Sequence, residues 1–349
     1  MNRNRIATLG LCIALALYTA GCRSSADRAD RIAASVSGGL GSGEKSEASA
    51  QPGTTETSLS SNETAHATTV NASTPTFGVI YPMAHPYYEM ITAAAKAAAA
   101  REGVQLLVKA PDEANLEQQI RMVETMIKQH VDGIAIDPVD RNALVPVIDK
   151  AVLAGIPVIC FESDAPDSRR LDFIGVDNRD AGQRMGKLLD RLLDGKGMII
   201  VENGMSGMTS LTERQDGLLT YLSRETEIQV LDVRYNEGKE ALALSDLEEM
   251  IDAHPHFDAF VAMDAVSGPV SVLVWKASGL QRYALTFGMT PDIRQALRNG
   301  QVTAAIAQNE TKWGDLIVNR LITASKKETI PTFDDVGMTE LMAGDVLEK

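Results

Sequence analysis

A chain of 349 residues, 44% hydrophobic and 23% charged, is long enough for two domains of ordinary globular composition. Its formal net charge of −14 argues against nucleic acid or an anionic membrane surface as a partner and fits a neutral or cationic solute. Of three cysteines, Cys12 falls in an apolar leader and Cys22 just after it, leaving Cys160 alone, so a disulfide framework is excluded. Cys160 sits within an apolar run and reads as a small buried hydrophobe rather than a nucleophile.

The N-terminus has the layout of an export signal. Arg3 and Arg5 supply the positive region, Ile6 to Tyr18 a short apolar region, and Thr19-Ala20-Gly21 the small residues before a cleavage point, which predicts a signal peptide over residues 1–21. The apolar run is too short for a transmembrane helix. Cys22 after Ala20-Gly21 resembles a bacterial lipobox, with lipid attached at Cys22, although Thr19 stands where Leu is usual; an ordinary secretory signal with an incidental cysteine is the alternative. From there to Pro75 the chain is dominated by Ser, Thr, Ala, Gly and Glu, apart from a possible short helix over Ala26 to Val36. It cannot bury enough apolar surface to fold, so residues 22–75 are expected to be a disordered, lipid-anchored tether. The Asn62 and Asn71 sequons read as chance matches.

From Thr76 the pattern changes. Strand-like runs at Phe77–Tyr81, Val104–Lys109, Gly133–Asp137, Ile156–Phe161 and Phe173–Val176 enclose helical segments at Tyr87–Arg101, Leu116–Gln129 and Asn142–Leu153. Asn115 is a candidate N-cap, and Gly155 a helix stop. This alternation predicts βαβ units around a parallel sheet. After the apolar run Ile156 to Phe161 the chain turns acidic at Glu162, Ser163 and Asp164, then forms a second strand-like run with no helix between, ending at Asp177-Asn178. Two successive strands suggest that the second leaves the first sheet and crosses into another domain.

Beyond Asp177 the pattern restarts, with strand-like runs at Met198–Val201, Ile228–Val233, Phe257–Met263, Leu285–Gly288 and Val302–Ala307. Helical segments are expected near Arg179–Leu193, Thr212–Arg224, Lys239–Ala253, Gly268–Ala277, Ile293–Arg298 and Lys312–Ala324. The chain is therefore expected to form two α/β lobes: residues 76–176 with 309–336, and residues 177–308 with 337–349. Crossings are expected near Asp177, Asn309 and Asp334 to Val336.

Ligands of open α/β sheets bind beyond the carboxyl ends of the strands. The first lobe delivers Tyr81, His85, Tyr87 and Tyr88 there, then Asp137, then Glu162 and Ser163. The second delivers Asn203, Ser206, Arg214 and Asp264, with Gln308 at a crossing. Carboxylates, an amide and a guanidinium each bond adjacent hydroxyls, and aromatic rings cover the C–H faces of a sugar, so this mixture suits a polyhydroxylated ligand. Each residue also has a structural alternative: Asp137 a turn before Pro138, Asp264 a helix cap, Arg214 a pair with Glu213 or Asp216, Tyr87-Tyr88 a packing element, His85 an exposed loop histidine.

The stretches Tyr81-Pro-Met-Ala-His85-Pro86-Tyr87-Tyr88, Ile134-Ala-Ile-Asp137-Pro138, Gly155-Ile-Pro-Val, Gly175-Val-Asp177-Asn178, Thr212-Glu-Arg214-Gln-Asp-Gly217 and Ala305-Ile-Ala-Gln308, in this order and spacing, resemble the ribose-type periplasmic binding proteins, the type I solute-binding components of sugar ABC importers. The resemblance covers Thr76 to about Val336. It implies an α/β fold of two Rossmann-like lobes with parallel sheets, joined by three crossings and closing on a monosaccharide. By motif, its aromatic pair falls on Tyr87 and Tyr88, a polar loop contact on His85, and further ligand contacts on Asp137, Glu162, Arg214, Asp264 and Gln308. The aromatic of the loop after the second strand of lobe two has no clear counterpart, Tyr235 and Gly238 both lying near. Ser163 stands where ribose binders carry an arginine, and Phe287-Gly288-Met289 where they carry an aspartate, which argues against ribose itself and leaves Arg169 or Met289 as possible substitutes.

The resulting expectation is a lipid-anchored solute receptor at the periplasm or cell surface, binding a monosaccharide or derivative by hinge closure and presenting it to an ABC permease, without a cofactor or metal. A ligand-sensing receptor for a chemotaxis or sensor-kinase partner is the alternative output. A carboxylate pair drawn from Asp137, Glu162 and Asp264 for glycoside hydrolysis is the enzymatic alternative, but there is no P-loop, zinc-like spacing or nucleophile elbow, and the expectation is a protein that is not an enzyme.

Overall fold

The computed structural model describes residues 74–345. The expected signal peptide, the Cys22 lipidation site, nearly all of the tether and the last four residues lie outside the described residues.

The chain begins β1 (Thr76–Ile80), α1 (Pro86–Glu102), β2 (Gln105–Lys109), α2 (Leu116–Lys128), β3 (Gly133–Ile136), α3 (Val145–Leu153), β4 (Val158–Phe161) and β5 (Asp172–Gly175). It continues α4 (Asn178–Leu193), β6 (Lys196–Asn203), α5 (Thr209–Glu225), β7 (Glu227–Tyr235), α6 (Glu240–Ala253), β8 (Ala259–Ala262), α7 (Ser267–Ser278), β9 (Tyr283–Phe287), α8 (Pro291–Arg298) and β10 (Ala304–Ala307). A 3-10 turn (Glu310–Lys312), α9 (Trp313–Ser325), β11 (Asp334–Asp335) and β12 (Thr339–Met342) complete it.

Two six-stranded sheets result, ordered β11-β5-β4-β3-β1-β2 and β12-β10-β9-β8-β6-β7. All pairings are parallel except β12 against β10. Strands β3, β4, β8 and β10 are buried throughout, as strands covered by helices on both faces must be. The chain passes between sheets three times, after β5, after β10 and between β11 and β12. Each sheet carries a strand-order reversal, at β1/β3 and at β6/β8, and it is at such reversals that adjacent loops diverge and leave a crevice.

Local signals place the helix ends. The Asn115 Oδ1 accepts from Gln118 N–H at 2.9 Å and caps α2, and Gly103 ends α1 in the left-handed region at φ 67°. The third helix starts at Val145 rather than Asn142, because Asp140 Oδ1 accepts from both Asn142 and Ala143 N–H and folds that stretch into a turn.

One expectation is corrected. Strand β5 does not leave the first sheet: it pairs parallel with β4, Cys160 opposite Phe173. The irregular segment 162–171 takes the place of a crossover helix. It is closed by the fork of Arg170 on Asp164, at 2.8 and 2.7 Å, and by Leu171 N–H on Val158 O at 2.8 Å. The crossing comes only after Gly175, and Asp177 then caps α4 through Asp180 N–H.

Helix α4 packs on α5 through glycines. A Cβ on Gly182 would lie 1.9 Å from Arg214 O, and one on Gly217 2.1 Å from Arg179 O, so the two backbones approach more closely than any side chain permits. Arg214 is thus positioned by a backbone that α4 holds in place.

Candidate ligand site between the sheets

Loops from both reversals meet around one cavity. The first sheet contributes Met83, Tyr87 and Tyr88 after β1 and Glu162 after β4. The second contributes Met205, Met208, Leu211 and Arg214 after β6, then Asp264, Ala265 and Val266 after β8. Phe287 and Gly288 end β9, and Gln308 lies on the second crossing.

Arg214 organises this site. Its guanidinium donates to Glu162 Oε1 at 2.7 Å, Gln308 Oε1 at 2.8 Å, Asn178 Oδ1 at 2.8 Å and Met263 O at 3.3 Å, and stands 4.9 Å from the Phe287 ring centroid. It is 2% exposed, so the charge is carried by these acceptors in place of water. Gln308 also donates to the Tyr87 hydroxyl at 3.4 Å, and its backbone carbonyl accepts from Trp313 Nε1 at 2.8 Å. Glu310 Oε1 accepts from the N–H groups of Gln308 and Met289 and fixes this crossing.

Glu162 is the strained member. Its φ of 59° lies in the left-handed region, unfavourable for a residue with a Cβ, and its N–H donates to Ile174 O. This turn aims the side chain out of the strand end toward Arg214. Its Oε2 is buried and has no hydrogen-bond partner among the described residues, and the buried Asp137 carboxyl stands beside the Tyr88 hydroxyl and the Ser163 N–H. Burial and then the Glu162 charge push the Asp137 carboxyl well above the usual carboxylate range. Burial likewise raises the Tyr87 and Tyr88 phenols, so both stay protonated donors.

Six sequence candidates, Tyr87, Tyr88, Glu162, Arg214, Asp264 and Gln308, line the cavity. Four do not. Tyr81 is buried behind Tyr88, ring centroids 5.0 Å apart, with its hydroxyl accepting from Thr92 Oγ1. His85 caps α1, its Nδ1 accepting from Tyr87 N–H at 3.2 Å. Asp137 is fully buried and absent from the lining. Ser163 Oγ accepts from Ser210 N–H at 3.2 Å, a bond between the two sheets' loops.

The other expected substitutes are also elsewhere. Arg169 is exposed beside Asp149, and Met289 packs with Val272, Ile293 and Leu297 in a separate core cluster. Tyr235 bonds Gln215 and does not reach the cavity, and Asn203 is spent on Gln215 and Leu211 O.

Sequence reasoning missed the apolar members, Met83, Met205, Met208, Leu211 and Phe287. Apolar residues at strand ends carry no signal separating a cavity wall from core. The Asn203-Gly204-Met205-Ser206-Gly207-Met208 turn was the one available hint, its glycines marking close approach: a Cβ on Gly207 would lie 2.8 Å from Val139 O of the first sheet's loop.

Direct bonds join the two sides. Thr209 Oγ1 donates to Asp164 O at 2.7 Å, and Arg141 N–H to Gly207 O at 3.2 Å. The cavity is small, about 30 Å³, and the bonds across it hold its two sides together, so a monosaccharide enters when the two sides part. Among the described residues no group of three or more His, Cys, Asp or Glu is placed to hold a metal ion.

The model of the periplasmic binding protein domain matches residues 77–329. Among curated proteins, a D-ribose/D-allose-binding protein of Pseudomonas aeruginosa is 26% identical over 209 residues, which are 58% of this chain and 65% of that protein. A ribose import binding protein of Bacillus subtilis is 22% identical over 235 residues, covering 66% of this chain and 75% of its own length. Among solved structures, an ABC transporter solute-binding protein from Burkholderia graminis in complex with D-arabinose is 27% identical, with a TM-score of 0.75 over 79% of this chain and 97% of that one. Two mostly parallel sheets with matching strand order, three connections between them and a cavity at both reversals accord with that match: the chain belongs to the family of periplasmic binding protein domains.

Proposed function

We propose that this protein is an extracytoplasmic solute-binding protein that captures a sugar or similar small polar molecule by closure of two lobes and delivers it to an ABC importer. The observation that carries this reading is Glu162 Oε2, a buried acceptor on a residue that lines the cavity, which has no donor among the described residues. Ligand hydroxyls supply such donors, and an unmet buried acceptor costs on the order of 1–3 kcal/mol. The related proteins named above bind ribose, allose or arabinose, and all are binding proteins, which supports binding without turnover.

The moving bodies are residues 76–176 with 309–336 and residues 177–308 with 337–349, hinged at the three connections. Ligand contacts fall to Tyr87, Tyr88, Glu162, Arg214, Asp264 and Gln308, with Asp137, Tyr81, His85 and Ser163 acting from behind or beside them. The leader with Arg3 and Arg5, and Cys22 after Ala20-Gly21, support export and lipid anchoring at Cys22.

Thermal unfolding of the full-length protein against a library of neutral sugars and polyols tests the reading. A true ligand at a hundred times its dissociation constant stabilises by about 2.7 kcal/mol. Failure of every sugar and polyol to shift the transition rejects it.

A further inference from the structure

The charges around the cavity do not balance. Its lining holds two carboxylates, Glu162 from the first sheet's loops and Asp264 from the second's, and one cation, Arg214. Arg214 and Glu162 are joined at 2.7 Å and offset each other. Asp264 is bonded to neutral groups: its Oδ1 accepts from Ser267 N–H at 3.0 Å and from the Ser267 hydroxyl, and its Oδ2 from Asn236 Nδ2 at 3.1 Å. It is 6% exposed, so little water screens the negative charge left over.

The groups around the lining add no positive charge. Burial holds the His85 imidazole below its usual value, and the charges near it are the acids Asp264, Glu240 and Glu89. Around Tyr87 stand Glu162, Glu310 and Asp137, with Arg214 the single opposing charge. Counting Asp137 and Glu310 as neutral, the form that burial favours, still leaves the cavity one positive charge short.

The open hydrogen-bonding positions have the same character. Glu162 Oε2 is buried with no donor among the described residues, and Asp264 Oδ2 accepts a single bond and keeps a second acceptor position. Arg214 is already engaged by Glu162, Gln308, Asn178 and Met263. An ammonium group brings three donors and no acceptor, whereas a hydroxyl brings one donor and two lone pairs that need partners of their own. Bonds from a charged donor to a carboxylate are also the stronger ones.

We propose that the ligand is a protonated amino sugar, a monosaccharide in which an ammonium group replaces one hydroxyl and is directed toward the Glu162 and Asp264 carboxylates. The assignment rests on the solute-binding reading and specifies its ligand. The ammonium supplies the charge that the lining lacks and donates to the Glu162 oxygen that has no partner.

Calorimetric titration of the full-length protein at about pH 6 with matched sets tests it: D-glucosamine, D-galactosamine and D-mannosamine, each against its parent hexose and its N-acetyl derivative, and 6-amino-6-deoxy-D-glucose against D-glucose, with D-ribose as the pentose control. The tightest binder is expected to be an amine, about tenfold or more tighter than its parent hexose, which still binds measurably. Asp264→Asn keeps the size of the side chain and a carbonyl oxygen for the Ser267 N–H while removing the unbalanced charge, and is expected to shrink that ratio at least about threefold. Raising the pH to about 9 takes the proton off an amine whose pKa lies near 8, and is expected to shrink the ratio in the parent protein as well. A neutral hexose, an N-acetyl sugar or ribose binding as tightly as any amine, or a ratio unmoved by Asp264→Asn or by the rise in pH, overturns the ligand assignment and leaves the solute-binding reading standing. No binding by any sugar overturns both.

Discussion

Arg214 of α5, beside the second sheet, lies 2.7 Å from Glu162 at the end of a strand of the first sheet, and both side chains are almost fully buried. A buried ion pair of this kind is sensitive to loss of one partner, since the other charge is then stranded in a dry site. Arg214→Ala is expected to destabilise the protein by about 3–5 kcal/mol in urea unfolding. Arg214→Met combined with Glu162→Gln is expected to recover part of that loss, since neither charge remains. Energies that simply add in the double variant would falsify a direct coupling.

Stability should fall as pH rises from roughly 5 to about 9. Burial, then Asp334, pushes the Asp172 carboxyl up to about 7, and burial, then Asp246 and Asp264, pushes Glu202 up to about 9. Each holds its proton more tightly folded than unfolded, so its contribution is fully present below roughly pH 4 and is lost as pH rises through the folded value. Asp334 runs the other way: its bond to Arg320 lowers it, and its contribution is lost on acidification. Burial is the main cause of the Glu202 shift, so Glu202→Gln, which has no proton to lose, is expected to flatten the slope above neutral pH and raise the urea midpoint at pH 8. A slope identical to that of the parent protein would show that Glu202 is not the titrating group.

The contact of α4 with α5 links packing to binding. With a Cβ on Gly182 falling 1.9 Å from Arg214 O, Gly182→Ala must push α5 outward and carry Arg214 with it. The expected cost is about 1–3 kcal/mol of stability, together with weaker sugar binding. Gly155→Ala, where a Cβ meets nothing within 4 Å but φ is 87°, should cost stability by backbone strain alone and leave affinity unchanged. Equal affinity in the two variants would separate Arg214 placement from the helix contact.

His85→Ala distinguishes a cap from a ligand contact. Loss of the Nδ1 bond to Tyr87 N–H should cost about 1 kcal/mol of stability. Because His85 stands outside the cavity, sugar affinity should change less than twofold, and a larger loss would place the imidazole on the ligand.

The order of strands and helices was legible because apolar runs and helical periodicity are local properties, and the acidic ending of β4 marked Glu162 for the same reason. Tyr87, Arg214 and Gln308 were legible as polar or amphipathic residues at strand ends. The correction at β5 shows the limit: the sequence between Glu162 and Leu171 lacks a helix, but only the Arg170–Asp164 fork shows that it brings the next strand back beside β4. Ser163 reads as a site residue by position and turns out to bond Ser210 across the cleft.

By itself, then, the sequence determined the alternating α/β pattern, the restart after Asp177 and the chemical types at the strand ends, since periodicity and residue chemistry are written along the chain. Only the tertiary structure decided which strand ends face one another, because pairing between distant segments depends on packing that no local pattern encodes. It set Arg214 between Glu162 and Gln308 and left Glu162 Oε2 without a donor. It also brought Met83 and Met205 over Gly238, where a glycine alone leaves room for two side chains from opposite sheets.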